Sequence, residues 1–272
     1  MKKQCVNDPN DLDWVEYWQE RLEGKKNKDW DKAAPEFYKR AKKDDYQNEL
    51  LSNMILSKND TVLDVGCGEG SITIPLAKKV KSVTGLDSSV KMLEFLNKRA
   101  KENNISNVDT ILKPIEDISY EEIGDYDIVV ASRSLNGIVP IEKTISELNK
   151  IANKYVFLTV FGPNDRKIVK DFEICIWNNS QNSFPEYNYL FNILFNMGIY
   201  PNIKRLELSG YRKYETIEEV IYNGKFRPDL MNDEEKDKLK NYLKKVMKKD
   251  PETGKLYSEL DMSDWILFWW KI

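Results

Sequence analysis

The run Thr61–Ser71, Thr-Val-Leu-Asp-Val-Gly-Cys-Gly-Glu-Gly-Ser, constrains this chain more than any other stretch. A short apolar segment with an acid near its end leads into glycines at alternate positions, Gly66, Gly68 and Gly70, and a helical pattern follows. A buried strand passes to a helix in this way while leaving bare backbone for a ligand. Glycine lacks a Cβ, so it permits both the tight turn and the close approach. A dinucleotide fingerprint would read Gly-x-Gly-x-x-Gly, with the pyrophosphate on the helix N-terminus. Here the spacing is Gly-x-Gly-x-Gly, and position 71 is Ser. Asp64 stands two residues before Gly66. A fixed negative charge there would repel a pyrophosphate and suits a cationic group, such as the ammonium of an amino acid.

Downstream, Lys81–Asp87 reads Lys-Ser-Val-Thr-Gly-Leu-Asp, a strand that ends in an acid. An acid at the tip of the second strand, roughly 20 residues after the glycines, can accept hydrogen bonds from ribose hydroxyls. The expected ligand is therefore a ribonucleoside with an amino-acid tail and no phosphate.

These residues resemble the class I S-adenosylmethionine-dependent methyltransferases. The matching text is Val62-Leu63-Asp64-Val65-Gly66-Cys67-Gly68-Glu69-Gly70, then Val83-Thr84-Gly85-Leu86-Asp87-Ser88-Ser89, with Met92 one helical turn on. The match is specific over about 61–162. The resemblance implies an α/β fold: a doubly wound, mostly parallel seven-stranded sheet with helices on both faces and an antiparallel edge hairpin. It implies S-adenosyl-L-methionine as cofactor and S-adenosyl-L-homocysteine as product. Asp64 and the turn Gly66, Cys67 and Gly68 would hold the methionine part, and Asp87 the ribose, with Ser88 and Met92 beside it.

Further contacts follow from the same frame. The third strand should end near the adenine, at Ile111-Leu112-Lys113-Pro114-Ile115-Glu116-Asp117. The family usually carries an acid where Pro114 stands. Ile115 then offers the apolar surface, and Glu116 or Asp117 the polar contact. The fourth strand ends Ala131-Ser132-Arg133-Ser134-Leu135-Asn136, which puts Ser132 and Arg133 beside the cleft. The family's Asx-Pro-Pro-aromatic motif for base N-methylation is absent there. Tyr38 and Tyr46, in the helices before the first strand, are candidates for the methionine carboxylate.

Composition narrows the class. With 32% charged and 41% hydrophobic residues, the chain of 272 residues is of soluble globular type and long enough for a large core. No apolar run spans a membrane, the N-terminus lacks a signal-peptide core, and the cytosol is the expected compartment. Three scattered cysteines, Cys5, Cys67 and Cys175, suggest neither a disulfide framework nor a metal site. There is no histidine, which removes the commonest general base and metal ligand. The net charge of −3 weighs against nucleic acid. The lysine-rich stretch 234–249, with Leu239, Leu243, Val246 and Met247 at helical spacing, reads as an amphipathic helix, and Asn232 with Glu235 as its N-cap pair.

Periodicity predicts helices over 11–23 and 31–56, strand 61–65, helix 71–80, strand 82–87 and helix 89–103. A strand near 108–113, strand 127–131, helix 142–152 and strand 155–161 follow. Beyond Gly162 the pattern predicts helix 186–197, strand 203–208, mainly helix over 214–249, and a last buried strand 265–270; 164–185 shows no clean period. The expected organisation is an N-terminal helical cap, 1–60, over the cofactor, and a Rossmann-like domain, 61–272. Within the latter, 163–185 and 210–264 are substrate-side additions, with a helical insertion before the last strand. Asp127, at the start of its strand, is a poor catalytic candidate, and no general base is assigned. Trp177, Phe184, Tyr187, Tyr189, Tyr211, Tyr214 and Tyr222 either line an acceptor pocket or form the core of the additions. The expected acceptor is a small molecule; a protein or RNA acceptor, aminopropyl transfer, and a non-catalytic cofactor-binding subunit are the alternatives.

Overall fold

The computed structural model describes residues 12–25, 28–40, 45–178, 184–223, 226 and 228–272. Helices α1 (Trp14–Leu22), α2 (Trp30–Arg40) and α3 (Tyr46–Ser52) precede β1 (Thr61–Val65). Then come α4 (Thr73–Ala77), β2 (Ser82–Asp87), α5 (Val90–Glu102), β3 (Val108–Leu112), α6 (Tyr120–Ile123), β4 (Tyr126–Ser132), α7 (Ile141–Ile151) and β5 (Ala152–Phe161). The remainder runs α8 (Lys167–Trp177), α9 (Tyr187–Asn196), β6 (Asn202–Arg205), β7 (Tyr211–Tyr214), α10 (Ile217–Asn223), α11 (Asp233–Val246), β8 (Lys248–Lys249), β9 (Leu256–Met262) and β10 (Trp265–Lys271). The chain forms two compact units, 1–161 with 184–206 and 266–272, and 162–183 with 207–265.

The first unit is built on a seven-stranded sheet of order β3-β2-β1-β4-β5-β10-β6. β1 pairs in parallel with β2 and β4, and β10 pairs antiparallel with β6. The central strands read as near-continuous apolar runs because helices cover both faces of a parallel sheet. Val62, Leu63, Val83, Leu86, Ile128, Val129, Val156 and Leu158 are accordingly buried. Ile141, Ile145, Leu148 and Ile151, spaced three and four apart, put one stripe of α7 into that core. Trp18 and Leu22 of α1 join it, and the Trp18 indole N–H donates to the Ile138 carbonyl at 2.7 Å. The register brings the ends of β1, β2 and β4 to one edge of the sheet, the place where α/β folds bind ligands.

Local boundaries depart from the periodicity in two places. The helix expected over 31–56 is two helices, α2 and α3, and the second starts behind Asp45, an acid suited to a helix N-terminus. That break turns Tyr46 into the sheet edge, fully buried. The helix expected over 71–80 is only Thr73–Ala77, because the glycine turn continues through Gly70. Pro75 sits within its first turn, where a missing N–H is harmless.

The second unit holds the helical insertion expected before the last strand, α10 and α11, and adds a small sheet to it. It carries a three-stranded antiparallel sheet, β7-β9-β8, beside α8, α10 and α11. β8 is two residues long and β7 four, too short to leave a period in the sequence. Segment 164–185, without a readable period, contains α8, whose Ile168, Val169 and Phe172 pack with Tyr214, Val220, Phe226, Leu239 and Leu243. α11 starts with the expected cap: Asn232 Oδ1 accepts the Glu235 N–H at 2.9 Å and Glu235 accepts the Asn232 N–H at 2.9 Å. Inside the unit the buried Asp261 carboxylate accepts from Arg212 and from the Tyr214 hydroxyl, each at 2.6 Å.

Candidate functional site

The turn after β1 is shaped by its neighbours as much as by any ligand. Gly66 and Gly70 have φ of +72° and +86°, the left-handed region that favours glycine. A Cβ on Gly66 would stand 2.4 Å from the Ser134 Cβ, and one on Gly70 2.4 Å from Leu96 Cδ1. At Gly68 a Cβ would meet only Met92 Sδ, at 3.9 Å. The bare face is therefore at Gly68, and the other two glycines admit side chains from the β4 loop and from α5. The N–H groups of Gly66 and Cys67 donate to the Leu86 carbonyl at 2.7 and 3.0 Å, which ties the turn to the end of β2.

Three buried acids meet around this turn. Asp64 is 1% exposed, Glu69 5% and Asp87 9%. Asp64 Oδ2 accepts the Thr73 hydroxyl at 2.7 Å. Burial pushes the Asp64 carboxyl up to about 7; the Thr73 hydrogen bond opposes this, and the charges of Asp87 and Glu69 add to it. Asp87 accepts the N–H of Gly68 and of Ser89, each at 2.9 Å. Its carboxyl is also raised, by burial first, against the pull of those backbone amides. No ion pair neutralises Asp64, Glu69 or Asp87 among the described residues. A buried carboxylate without a counter-charge is costly, which is why burial raises both the Asp64 and the Asp87 carboxyl.

Other expected residues surround the turn. Ile115 is buried, its Cδ1 3.0 Å from where a Gly66 Cβ would stand. Met92 is buried, and Ser88 is exposed next to Asp87. Glu116 is half-buried, its carbonyl accepting from Lys143 Nζ at 3.2 Å. At the end of β4, Ser132 Oγ lies 2.9 Å and Thr159 Oγ1 2.6 Å from the hydroxyl of Tyr46. Arg133 takes φ +60°, donates its N–H to Thr159 Oγ1 at 2.9 Å, and holds its guanidinium carbon 4.1 Å from the Tyr46 ring centre.

Two expected residues face elsewhere. Tyr38 stacks on Phe95 at 4.6 Å and donates its hydroxyl to Glu102 at 2.7 Å. Glu102 closes α5, the end remote from the sheet's carboxyl edge, so Tyr38 does not reach the methionine side; Tyr46 occupies the sheet edge instead. The Cys67 thiol packs with Ile74, Leu93 and Leu96 and lies 2.9 Å from a hypothetical Gly85 Cβ, so only the Cys67 backbone belongs to the turn. Burial holds that thiol well above its usual pKa.

Sequence reasoning misses Glu69, Thr73 and Ser134. Glu69 lies inside the glycine run, and its burial is set by packing that the run does not announce. Ser134, whose hydroxyl donates to the Val65 carbonyl at 2.7 Å, has no local signal. The aromatic residues beyond Gly162 divide between two cores rather than forming one lining. Phe184, Tyr187 and Tyr189 pack on the first unit's core, Trp177 and Tyr214 belong to the second's, Tyr211 stacks on Tyr257, and Tyr222 is 77% exposed. Asp127 lies at the start of β4, accepting from the Thr61 N–H and paired with Lys154 at 3.0 Å. Cys67 and Cys175 are free thiols, and Cys5 lies outside the described residues. No group of metal-ligating side chains occurs among the described residues, and none of their helices is long and apolar enough to cross a membrane.

Fold and site together define a doubly wound α/β domain whose ligand edge is built from buried acids around a glycine turn. The methyltransferase domain family matches residues 56–245, and the chain belongs to it, as a class I S-adenosylmethionine-dependent methyltransferase. An uncharacterized protein of Haemophilus influenzae is 29% identical over 247 residues, 89% of this chain and 88% of that one. A protein of Methanocaldococcus jannaschii named as a probable cobalt-precorrin-6B C(15)-methyltransferase (decarboxylating) is 30% identical over 133 residues, 48% of this chain and 69% of that one. The 23S rRNA (uracil(1939)-C(5))-methyltransferase of Aliivibrio fischeri is 37% identical over 75 residues, 28% of this chain and 17% of that one. A solved Bacillus halodurans protein shares the fold, with a TM-score of 0.56, 16% identity, and coverage of 83% of this chain and 97% of its own.

Proposed function

We propose that this enzyme binds S-adenosylmethionine at the turn after β1 and transfers its methyl group to a small molecule. The observation that carries the reading is the set of buried, uncompensated acids around the one bare glycine face. Asp64 lies where it can pair with the ligand's ammonium, which removes the penalty that burial places on its charge. Asp87 keeps acceptor capacity for ribose hydroxyls beyond the backbone amides it already holds. Ile115 and Met92 supply apolar surface for the base. Tyr46, Ser132 and Arg133 form the wall at the end of β4, on the methyl side.

When bound, the cofactor supplies a methyl group on a sulfonium, already activated for in-line displacement by a nucleophile. The protein's part is to hold the two partners in line and to exclude water. With no histidine in the chain, a general base for a weak nucleophile comes from Asp, Glu, Tyr or Lys.

Two observations support a small acceptor. The chain's net charge of −3 gives no electrostatic surplus for a polyanion. The match to the precorrin enzyme extends over nearly half of this chain, against a short stretch for the ribosomal RNA enzyme. Calorimetric titration with S-adenosylhomocysteine tests the cofactor assignment, and absence of binding sinks it. Incubation with methyl-tritiated S-adenosylmethionine and a desalted or whole cell extract, followed by size fractionation, tests the acceptor. Label that depends on small solutes and stays in the low-mass fraction is expected; label in RNA or protein overturns the small-molecule reading.

A further inference from the structure

We propose that Asp31, on α2, is a positioning residue for Asp87, so that α2 belongs to the ribose side of the cofactor site. The proposal rests on the reading of Asp87 as the ribose acceptor. Its evidence is a continuous run of hydrogen bonds. The first amides of α5 have no partner inside the helix. Ser89 takes one of them, its Oγ accepting the Met92 N–H at 3.0 Å. The Ser89 hydroxyl proton goes outward to Asp31 Oδ1, at 2.6 Å. The same Asp31 oxygen accepts the Lys91 N–H at 3.0 Å. The Ser89 N–H donates to Asp87 Oδ1 at 2.9 Å, and the Gly68 N–H holds the other Asp87 oxygen. Asp31 therefore finishes, from a different helix, the cap whose first residue orients Asp87.

Several features distinguish this from a chance surface contact. Ser89 is 3% exposed, and its hydroxyl donates to Asp31, which reaches it from the exposed side of α2. An acid at a helix N-terminus is favoured by the helix dipole. The Ser89 and Lys91 hydrogen bonds hold the Asp31 carboxyl below its usual range, so it is charged at neutral pH. The two helices are also tied at their far ends. The Arg99 guanidinium donates to the Tyr38 carbonyl at 3.2 Å, and the Tyr38 hydroxyl donates to Glu102. α2 thus runs alongside α5 with Asp31 at the site end. Without Asp31 the Ser89 hydroxyl loses its acceptor, and the segment 87–91 loses the tie that fixes the direction of the Asp87 carboxylate.

The test is a double-mutant cycle read by calorimetric affinity for S-adenosylhomocysteine. Asp31→Ala is expected to weaken binding about tenfold, the scale of one charged hydrogen bond, and Asp87→Asn by more. In the double variant, loss of Asp31 should add less than about twofold, because its partner is already gone. Methylthioadenosine, which keeps the ribose but lacks the amino-acid tail, should show the same relative loss in Asp31→Ala. Ser89→Ala removes the link from the other side and should reproduce Asp31→Ala, which keeps the test open if that variant folds poorly. Unchanged affinity in Asp31→Ala, or losses that multiply in the double variant, overturns the proposal while leaving the cofactor reading intact. Full affinity in Asp87→Asn overturns the ribose assignment and this proposal with it.

Discussion

Asp64 makes a prediction that runs against the usual effect of deleting a site residue: Asp64→Asn should stabilise the ligand-free protein. The carboxyl is 1% exposed and is pushed from 3.8 to about 7, chiefly by burial. Below about pH 4 it is neutral in both the folded and the unfolded chain, and no penalty exists. Between about pH 4 and 7 the unfolded chain has released the proton while the folded chain keeps it, so stability falls as pH rises. Above about 7 the loss is complete. Each tenfold rise in proton affinity corresponds to roughly 1.4 kcal/mol, so the loss amounts to about 4 kcal/mol. Asparagine keeps the shape and can still accept the Thr73 hydroxyl, but it carries no charge. Near pH 8 the variant should therefore melt higher, by on the order of 10 °C, given about 2–4 °C per kcal/mol for chains of this size. At pH 5 the difference should be small. Thermal unfolding followed by circular dichroism from pH 5 to 8 measures both. Added S-adenosylhomocysteine should reverse the order, because only the wild type gains an ammonium partner for its charge. Equal melting temperatures at pH 8 without ligand, or a difference that does not grow with pH, would refute the reasoning.

Two other perturbations separate structural from ligand-facing roles. Gly70→Ala, with φ +86° and Leu96 in the way, should destabilise by about 2–4 kcal/mol, summing a left-handed penalty and overpacking. Gly68→Ala should cost only about 1–2 kcal/mol in stability yet reduce S-adenosylhomocysteine affinity, because its Cβ enters the open face; denaturant unfolding and calorimetry distinguish the two. Asn232→Ala removes the side-chain acceptor of the α11 cap, Oδ1 for the Glu235 N–H, and should lower stability by about 1 kcal/mol, seen as a shift of the urea midpoint, with cofactor affinity unchanged.

The parts of the molecule legible in the sequence are those where one physical demand dominates. The alternation of buried strand and amphipathic helix from Thr61 to Phe161 shows because a parallel sheet needs apolar residues on both faces, and its short loops need glycine or a capping residue. Asp64 and Asp87 are legible because buried acids at strand ends have few other uses. Tyr38 is misplaced by sequence reasoning because an aromatic at helical spacing fits equally well on a neighbouring helix, and its partner, Phe95, is remote in sequence. Asp31 leaves no mark for the same reason: its partner Ser89 is 58 residues away. The second unit's sheet is hidden by the brevity of its strands, and α8 by lysines and acids that interrupt its apolar stripe.

The placement of β10 between β5 and β6 has a consequence for how the chain is made. β6 is complete at Arg205, but the strand it pairs with begins at Trp265, about 60 residues later. At synthesis rates of roughly 5–20 residues per second, β6 waits on the order of several seconds with no neighbour on the sheet. During that interval the edge of β5 and the side chain of Leu206, buried in the finished fold, stay open to solvent and to other nascent chains. The intervening residues meanwhile supply most of the second unit. Slow synthesis of those residues would therefore appear first as aggregation through the unfinished sheet.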